Sequence, residues 1–285
     1  MSAQRSEAIS ASAAGLAPIW IEAVNLIAPG LDGWARSEAV LRGDQPYADT
    51  PLAPFAPELL PRNERRRATG AIKLALRVAE QLARPHGIDL PAVRAVFTSS
   101  GGDSEIINSI CTALAQPSRV VSPTQFHNSV HNGPAGYWAI ATQCRMSSVS
   151  LSAHDGSFAA GLLEAATTAI VEVGPVLLVA YDYPPPAPLS GVRAFHAPFA
   201  AAMLIDARPA DRAVATLGIT LAQALREDSL ADDRLERLRL GNPAARALPL
   251  LQTIARQQAR RVVLPYLPDA QLAVEVAPAR MQHDE

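Results

Sequence analysis

The sequence predicts a layered α/β domain with a mostly parallel or mixed sheet, and three stretches carry that expectation. Val93–Ser100 reads as a buried strand running into Gly101-Gly102-Asp103, after which Ile106, Ile107, Ile110 and Cys111 recur at helical spacing through Leu114. Ser147–Ser152 alternates like a strand and leads into Phe158, Ala159, Leu162, Leu163, Ala166 and Ile170, again at helical spacing. Pro175–Asp182 is a short apolar run that ends before Pro184, Pro185 and Pro186, as a buried strand emerging into a rigid loop does. Strands alternating with helices imply helices packed on the faces of one sheet.

Taken in order, Met1 to Ala17 is small and polar and is expected to be a disordered tail without a signal peptide. Ile19–Ile27 alternates as a strand, and Pro29-Gly30-Leu31-Asp32-Gly33-Trp34 breaks it. A proline-rich loop spans Gln45–Pro61. Asn63 to Leu82 carries Ala68, Ile72, Ala75, Leu76 and Ala79 at the spacing of one helix. Pro123–Gly136 reads as a polar, turn-rich loop before the apolar Tyr137–Ala141. Ala200–Asp206 and Ala213–Leu221 read as two strands, paired as a hairpin around Pro209. Asp228–Leu240 is charge-rich, Ala244–Gln258 has helical spacing, and Val262–Leu264 and Leu272–Val276 supply late strands. No internal repeat is found. The expected organisation is a single domain over 18–285, with a C-terminal extension from about residue 225 and the tail at 1–17.

The 285 residues suffice for a sizeable core without disulfide or metal staples. Lys and Arg total 25 against 27 Asp and Glu, a net charge of -2 that leaves no electrostatic footprint for nucleic acid or an anionic membrane. Lys73 is the sole lysine, a bias better explained by a GC-rich genome than by a need for guanidinium groups. Cys111 and Cys144 are unpaired in sequence and sit in no metal motif, which fits a reduced, cytoplasmic setting. The longest apolar candidate, around Val171 to Ala180, contains Glu172 and falls short of a membrane span, so no membrane insertion is expected.

The strongest chemical pattern is Ser150-Leu151-Ser152-Ala153-His154-Asp155-Gly156-Ser157: a strand, a small polar turn, then a helix whose first amides are free to stabilise an anion. Together with Pro123-Thr124-Gln125-Phe126-His127-Asn128-Ser129-Val130-His131-Asn132-Gly133-Pro134-Ala135-Gly136-Tyr137, this segment resembles the nucleophile region of β-ketoacyl synthases. Trp20–Trp34, Val176–Asp182 and Ala200–Ile205 resemble further strands of the same half-fold. Gly241–Leu251 with Arg261–Tyr266 is similar to the tail of short, synthase-like proteins that accompany carrier-protein-based synthesis of aryl polyenes.

The resemblance implies the N-terminal half of a thiolase-like fold, with a mixed sheet of about five strands and helices on its faces. It places Asp155 where the family has its catalytic Cys, and neither of the family's two histidine-bearing turns appears after Asp206. An aspartyl anhydride would be far more labile than a thioester, so Asp155 is a poor acyl carrier. Two roles are open to it: capping its own helix, or shaping an acyl channel or a partner's pocket. The implied function is a non-catalytic, chain-length-factor-like subunit, with no independent activity of its own, that forms a heterodimer with a full-length β-ketoacyl synthase. His154, Asp155, Phe126 and His127 are the interface or channel candidates. Arg65, Arg66 and Arg67, otherwise a solvated helix face, are the candidates for contact with an acyl carrier protein.

Other patterns carry less. His127 and His131 are four apart, but the segment is loop-like and no third ligand is evident, so neither metal nor cofactor is expected. Cys111 lies on the apolar face of its helix and reads as a buried, inert thiol. Gly101-Gly102-Asp103 lacks the rest of a phosphate-binding fingerprint, and Asp155-Gly156-Ser157-Phe158-Ala159 lacks the second glycine of a hydrolase elbow. The alternative function is an independent acyltransferase or thioesterase using Cys111, Ser157 or the His127 and His131 pair.

Overall fold

The computed structural model describes residues 15–279. Most of the tail expected at 1–17 lies outside them. Strand β1 (Ile19–Ala28) is followed by the two-residue β2 (Leu31–Asp32) and helix α1 (Trp34–Arg42). The single helix expected from Asn63 is two, α2 (Arg62–Arg67) and α3 (Gly70–His86). Ala68 and Thr69 are extended between them, and the Thr69 hydroxyl accepts from the Ile72 amide to start α3. Next come β3 (Arg94–Thr98) and α4 (Ser104–Ala115), which Asp103 caps through the Ile106 amide.

The segment expected to be a loop is largely helical, as α5 (Pro123–Asn128) and α6 (Gly133–Thr142). Each begins with its proline in the first turn, where the missing N–H costs nothing, so these prolines start helices instead of breaking them. The chain continues through β4 (Ser148–Leu151), α7 (Ser157–Glu172), β5 (Val176–Asp182), β6 (Phe199–Asp206) and β7 (Ala215–Ala222). It ends with α8 (Asp233–Leu240), α9 (Leu248–Ala255), β8 (Arg260–Leu267) and β9 (Ala270–Pro278).

All strands join one sheet of order β4-β3-β5-β6-β1-β7-β9-β8, with β2 paired to β1. That makes nine strands where about five were expected, because the C-terminal segment adds β7, β8 and β9 to the sheet. The sheet is mixed as anticipated: β3 runs parallel to β4 and β5, and the remaining pairs are antiparallel. Strands β6 and β7 do not form a hairpin. Both pair with β1, which lies between them.

Strands β5 and β6 are buried along their whole length, because helices cover both faces, so they read as continuous apolar runs. On one face α3 and α6 pack through Ile72, Leu76, Ala79 and Trp138 against Phe97, Val179 and Leu204. On the other, α7 lays Phe158, Leu162 and Ala166 on Val96, Leu178 and Met203, and α9 extends that core to β8 and β9. Helix α4 is the exception. Of its twelve residues only Ile106 is buried, and Cys111, expected to be buried, is exposed. No helix among the described residues is long and apolar enough to cross a membrane.

Candidate functional site

Parallel strands β4, β3 and β5 end at one edge of the sheet, where ligand-binding sites of open α/β sheets usually form. At the end of β4 the chain turns through His154, in the left-handed region at φ 50°, and a short 3-10 turn over His154–Gly156, so that α7 begins at Ser157. The turn is locked from inside. Ser157 Oγ donates to the His154 carbonyl at 2.7 Å and accepts from the Ala153 amide at 2.9 Å, while Thr98 Oγ1 donates to the Ser157 carbonyl at 2.8 Å. Gly156 crosses beneath β8 so closely that a side chain there would overlap the Tyr266 carbonyl.

Asp155 does not cap α7. The 3-10 turn carries it one residue outside the helix start, Gly156 holds the cap position with no side-chain bond, and the carboxylate turns outward instead. There Arg193 Nη2 donates to Asp155 Oδ1 at 2.6 Å, and the same guanidinium lies 5.2 Å from the centre of the Phe195 ring. Beyond it, burial and the like charge of Arg239 lower the pKa of Arg246, opposed by the carboxylates of Asp155, Glu227 and Glu236. The elbow therefore faces an arginine-rich, charge-paired wall. His154 stands exposed, 3.6 Å from Asp155.

Asp182, at the end of β5, is the hub behind the elbow. One carboxylate oxygen accepts from the Ser99 hydroxyl at 3.0 Å, the Ser100 amide at 2.9 Å and the Ser100 hydroxyl at 2.8 Å; the other accepts from the Ala244 amide at 3.0 Å. Asn242 in turn donates to the carbonyls of Asp182 and Ala197. Burial pushes the Asp182 carboxyl up to about 6, although the hydrogen bonds from Ser99, Ser100 and Ala244 to the carboxylate pull it down. Sequence reasoning missed Asp182 and Arg193. The only available signal for Asp182 was an acid closing a wholly apolar strand, and for Arg193 there was none.

The other candidates are scattered. Phe126 and His127 project from α5 into solvent, whereas His131 Nε2 lies 3.0 Å from the Leu151 carbonyl, so the two histidines do not converge. Among the described residues no three His, Cys, Asp or Glu side chains group as metal ligands. Arg65 is committed to the carbonyls of Glu58 and Leu60, at 3.0 and 2.9 Å. Arg66 and Arg67 are exposed, and their side chains bond only Asn63 and Glu64 on their own helix.

A family model described as "Beta-ketoacyl synthase, N-terminal domain" matches residues 32–263. A solved structure of a ketosynthase, ApeO, in complex with its chain length factor, ApeC, from Xenorhabdus doucetiae is similar at 25% identity. The match covers 90% of this chain and 99% of that one, with a TM-score of 0.67. The ishigamide ketosynthase/chain length factor, at 13% identity, covers 93% and 100% with a TM-score of 0.70. A type II polyketide acyl-carrier protein in complex with its ketosynthase, at 12% identity, covers 93% and 100% with a TM-score of 0.71. The last two bear on the fold alone. A search of curated proteins finds no match.

Proposed function

The chain belongs to the β-ketoacyl synthase N-terminal domain family, and on that basis we propose that it is a non-catalytic, chain-length-factor-like subunit. It pairs with a complete β-ketoacyl synthase in carrier-protein-dependent synthesis of an aryl polyene or related polyketide. The observation that carries this reading is α4: a helix with Ile106, Ile107, Ile110, Cys111 and Leu114 on a twelve-residue span, yet with Ile106 alone buried. Such a helix in an isolated domain leaves apolar surface in water that a partner would cover.

Its surroundings support the same surface. Strand β4 ends the sheet with one side unpaired, α6 packs on β4, and α5 packs on α4. Exposed Val120, Phe126, Val130, Ile140 and Met146 all lie in this part of the chain. The other terminal strand, β8, is protected: Arg260 and Arg261 stand exposed on it and Asp228 takes the Val263 amide. Phe126, His127, His154 and Asp155 are thus candidate interface or channel residues.

Loss of catalysis is supported by the elbow. A carboxylate replaces the family's thiol and is engaged by Arg193, and Ser157 Oγ is buried and spent on the backbone. The ApeO and ApeC pair supplies the precedent for two such chains in one complex.

Co-expression with a complete β-ketoacyl synthase from the same gene neighbourhood, followed by size exclusion and a condensation assay on carrier-bound substrate, tests the proposal. A one-to-one complex that condenses faster than the synthase alone is expected. A chain that elutes alone beside a soluble, fully active synthase overturns it.

A further inference from the structure

Helix α3 presents Gly70, Lys73, Leu74 and Arg77 along one face, and these floor a cleft of about 500 Å³, within the usual range for small-molecule sites. Four prolines contribute to its walls. Pro29, Pro51, Pro54 and Pro198 carry no N–H, and Phe55 adds apolar surface. Tyr183 closes one end, its ring seated on Gly70, where an added side-chain carbon would come within 2.8 Å of the ring.

Of the two cations in the cleft, Arg77 is already neutralised. It donates to Asp32 at 2.6 Å and to the Ala53 carbonyl at 2.9 Å, and its guanidinium lies 5.1 Å from the Phe55 ring centre. The ammonium of Lys73, the chain's only lysine, makes no hydrogen bond or ion pair with any described residue. One unspent ammonium in an otherwise apolar cleft matches one negative charge on an apolar body. A phosphate dianion would leave half its charge unmatched.

From this geometry we infer that the cleft binds a carboxylate with an aliphatic or aryl tail, its head on Lys73 and its body against Phe55, Leu74 and the prolines. The site stands on this chain's own residues and needs no partner subunit.

Calorimetric titration of the full chain at low salt, with octanoate, octan-1-ol and octyl phosphate as probes, tests the inference. NMR of the chain with ¹³C-dimethylated amines reports on the same contact, since Lys73 gives the single lysine resonance. Octanoate should bind saturably at one site and shift that resonance. Lys73→Met, which keeps the apolar stem, should weaken octanoate by about tenfold or more, and Lys73→Arg by only a few-fold. Octan-1-ol should bind the wild type and Lys73→Met alike. Equal octanoate affinity in the wild type and Lys73→Met, an unmoved Lys73 resonance, or preference for octyl phosphate over octanoate each overturns the inference. Should Lys73→Met fail to fold, the wild-type resonance and the probe ranking decide the matter.

Discussion

The carbonyl oxygen of Tyr266 fills the space that a side chain at Gly156 would need. The start of α7 and strand β8 therefore meet backbone to backbone, and the elbow cannot move without the C-terminal hairpin. Gly156 sits at φ −87°, which any residue adopts, so space alone demands glycine here. Gly156→Ala should lower stability by about 2–4 kcal/mol in urea denaturation. Gly136→Ala, on the open side of α6, should instead raise it by about 0.5 kcal/mol.

Asp155 and Arg193 form a close but partly exposed pair, with side chains 46% and 33% accessible. Because Asp155 caps nothing, Asp155→Ala and Arg193→Ala should each cost no more than about 1 kcal/mol, with the double variant no worse than Arg193→Ala alone. On the proposed function, Asp155→Cys should give no condensation by this chain alone. Turnover of a carrier-bound acyl substrate by that variant would contradict the proposed function.

Charge placed on the exposed side of α4 should separate folding from pairing. Ile107→Glu with Leu114→Glu removes two exposed apolar side chains and should leave the chain's own unfolding midpoint nearly unchanged. Co-purification with the synthase should be lost.

Asp182 ties a pH dependence to the hub. Its carboxyl titrates near 6 in the fold and near 3.8 when exposed, so between these values the folded state holds the extra proton. The contribution is fully present below about pH 4 and declines as pH rises toward 6, by roughly 2–3 kcal/mol in total. Asp182→Asn should abolish this component, so that the stability difference between wild type and variant changes across pH 4 to 6 and is flat above it.

Of the three candidate arginines Arg65 to Arg67, Arg66 and Arg67 are the exposed ones that can meet an acidic carrier protein, Arg65 being held by backbone carbonyls. Reversing both to Glu should weaken carrier association, and salt should weaken the wild-type association in the same way. Binding that ignores both changes would remove α2 from the docking surface.

Much of this architecture was legible in the residues. The two strand, turn and helix units, the elbow and the buried β5 follow from local periodicity, and local periodicity is what a sequence displays. What escaped was non-local. Nothing between Asp206 and Ala215 indicates that β1, nearly 200 residues earlier, separates β6 from β7. The partner of Asp155 lies 38 residues onward, and a single 3-10 turn decides that the side chain misses its helix. Cys111 was misplaced for a related reason. Apolar spacing shows that a helix has a face to bury, but not whether the same chain buries it.

Strand β4 is only four residues long, and its outer side can offer another strand no more than a few backbone hydrogen bonds. So short a seam contributes little adhesion, but it dictates direction and alignment, since a slip of one residue would turn every side chain of the incoming strand to the wrong face. In the proposed pair, orientation and grip would thereby be divided: the backbone of Ser148–Leu151 would set the angle at which a second sheet continues this one, and the apolar side chains of α4 to α6 would determine how long it stays.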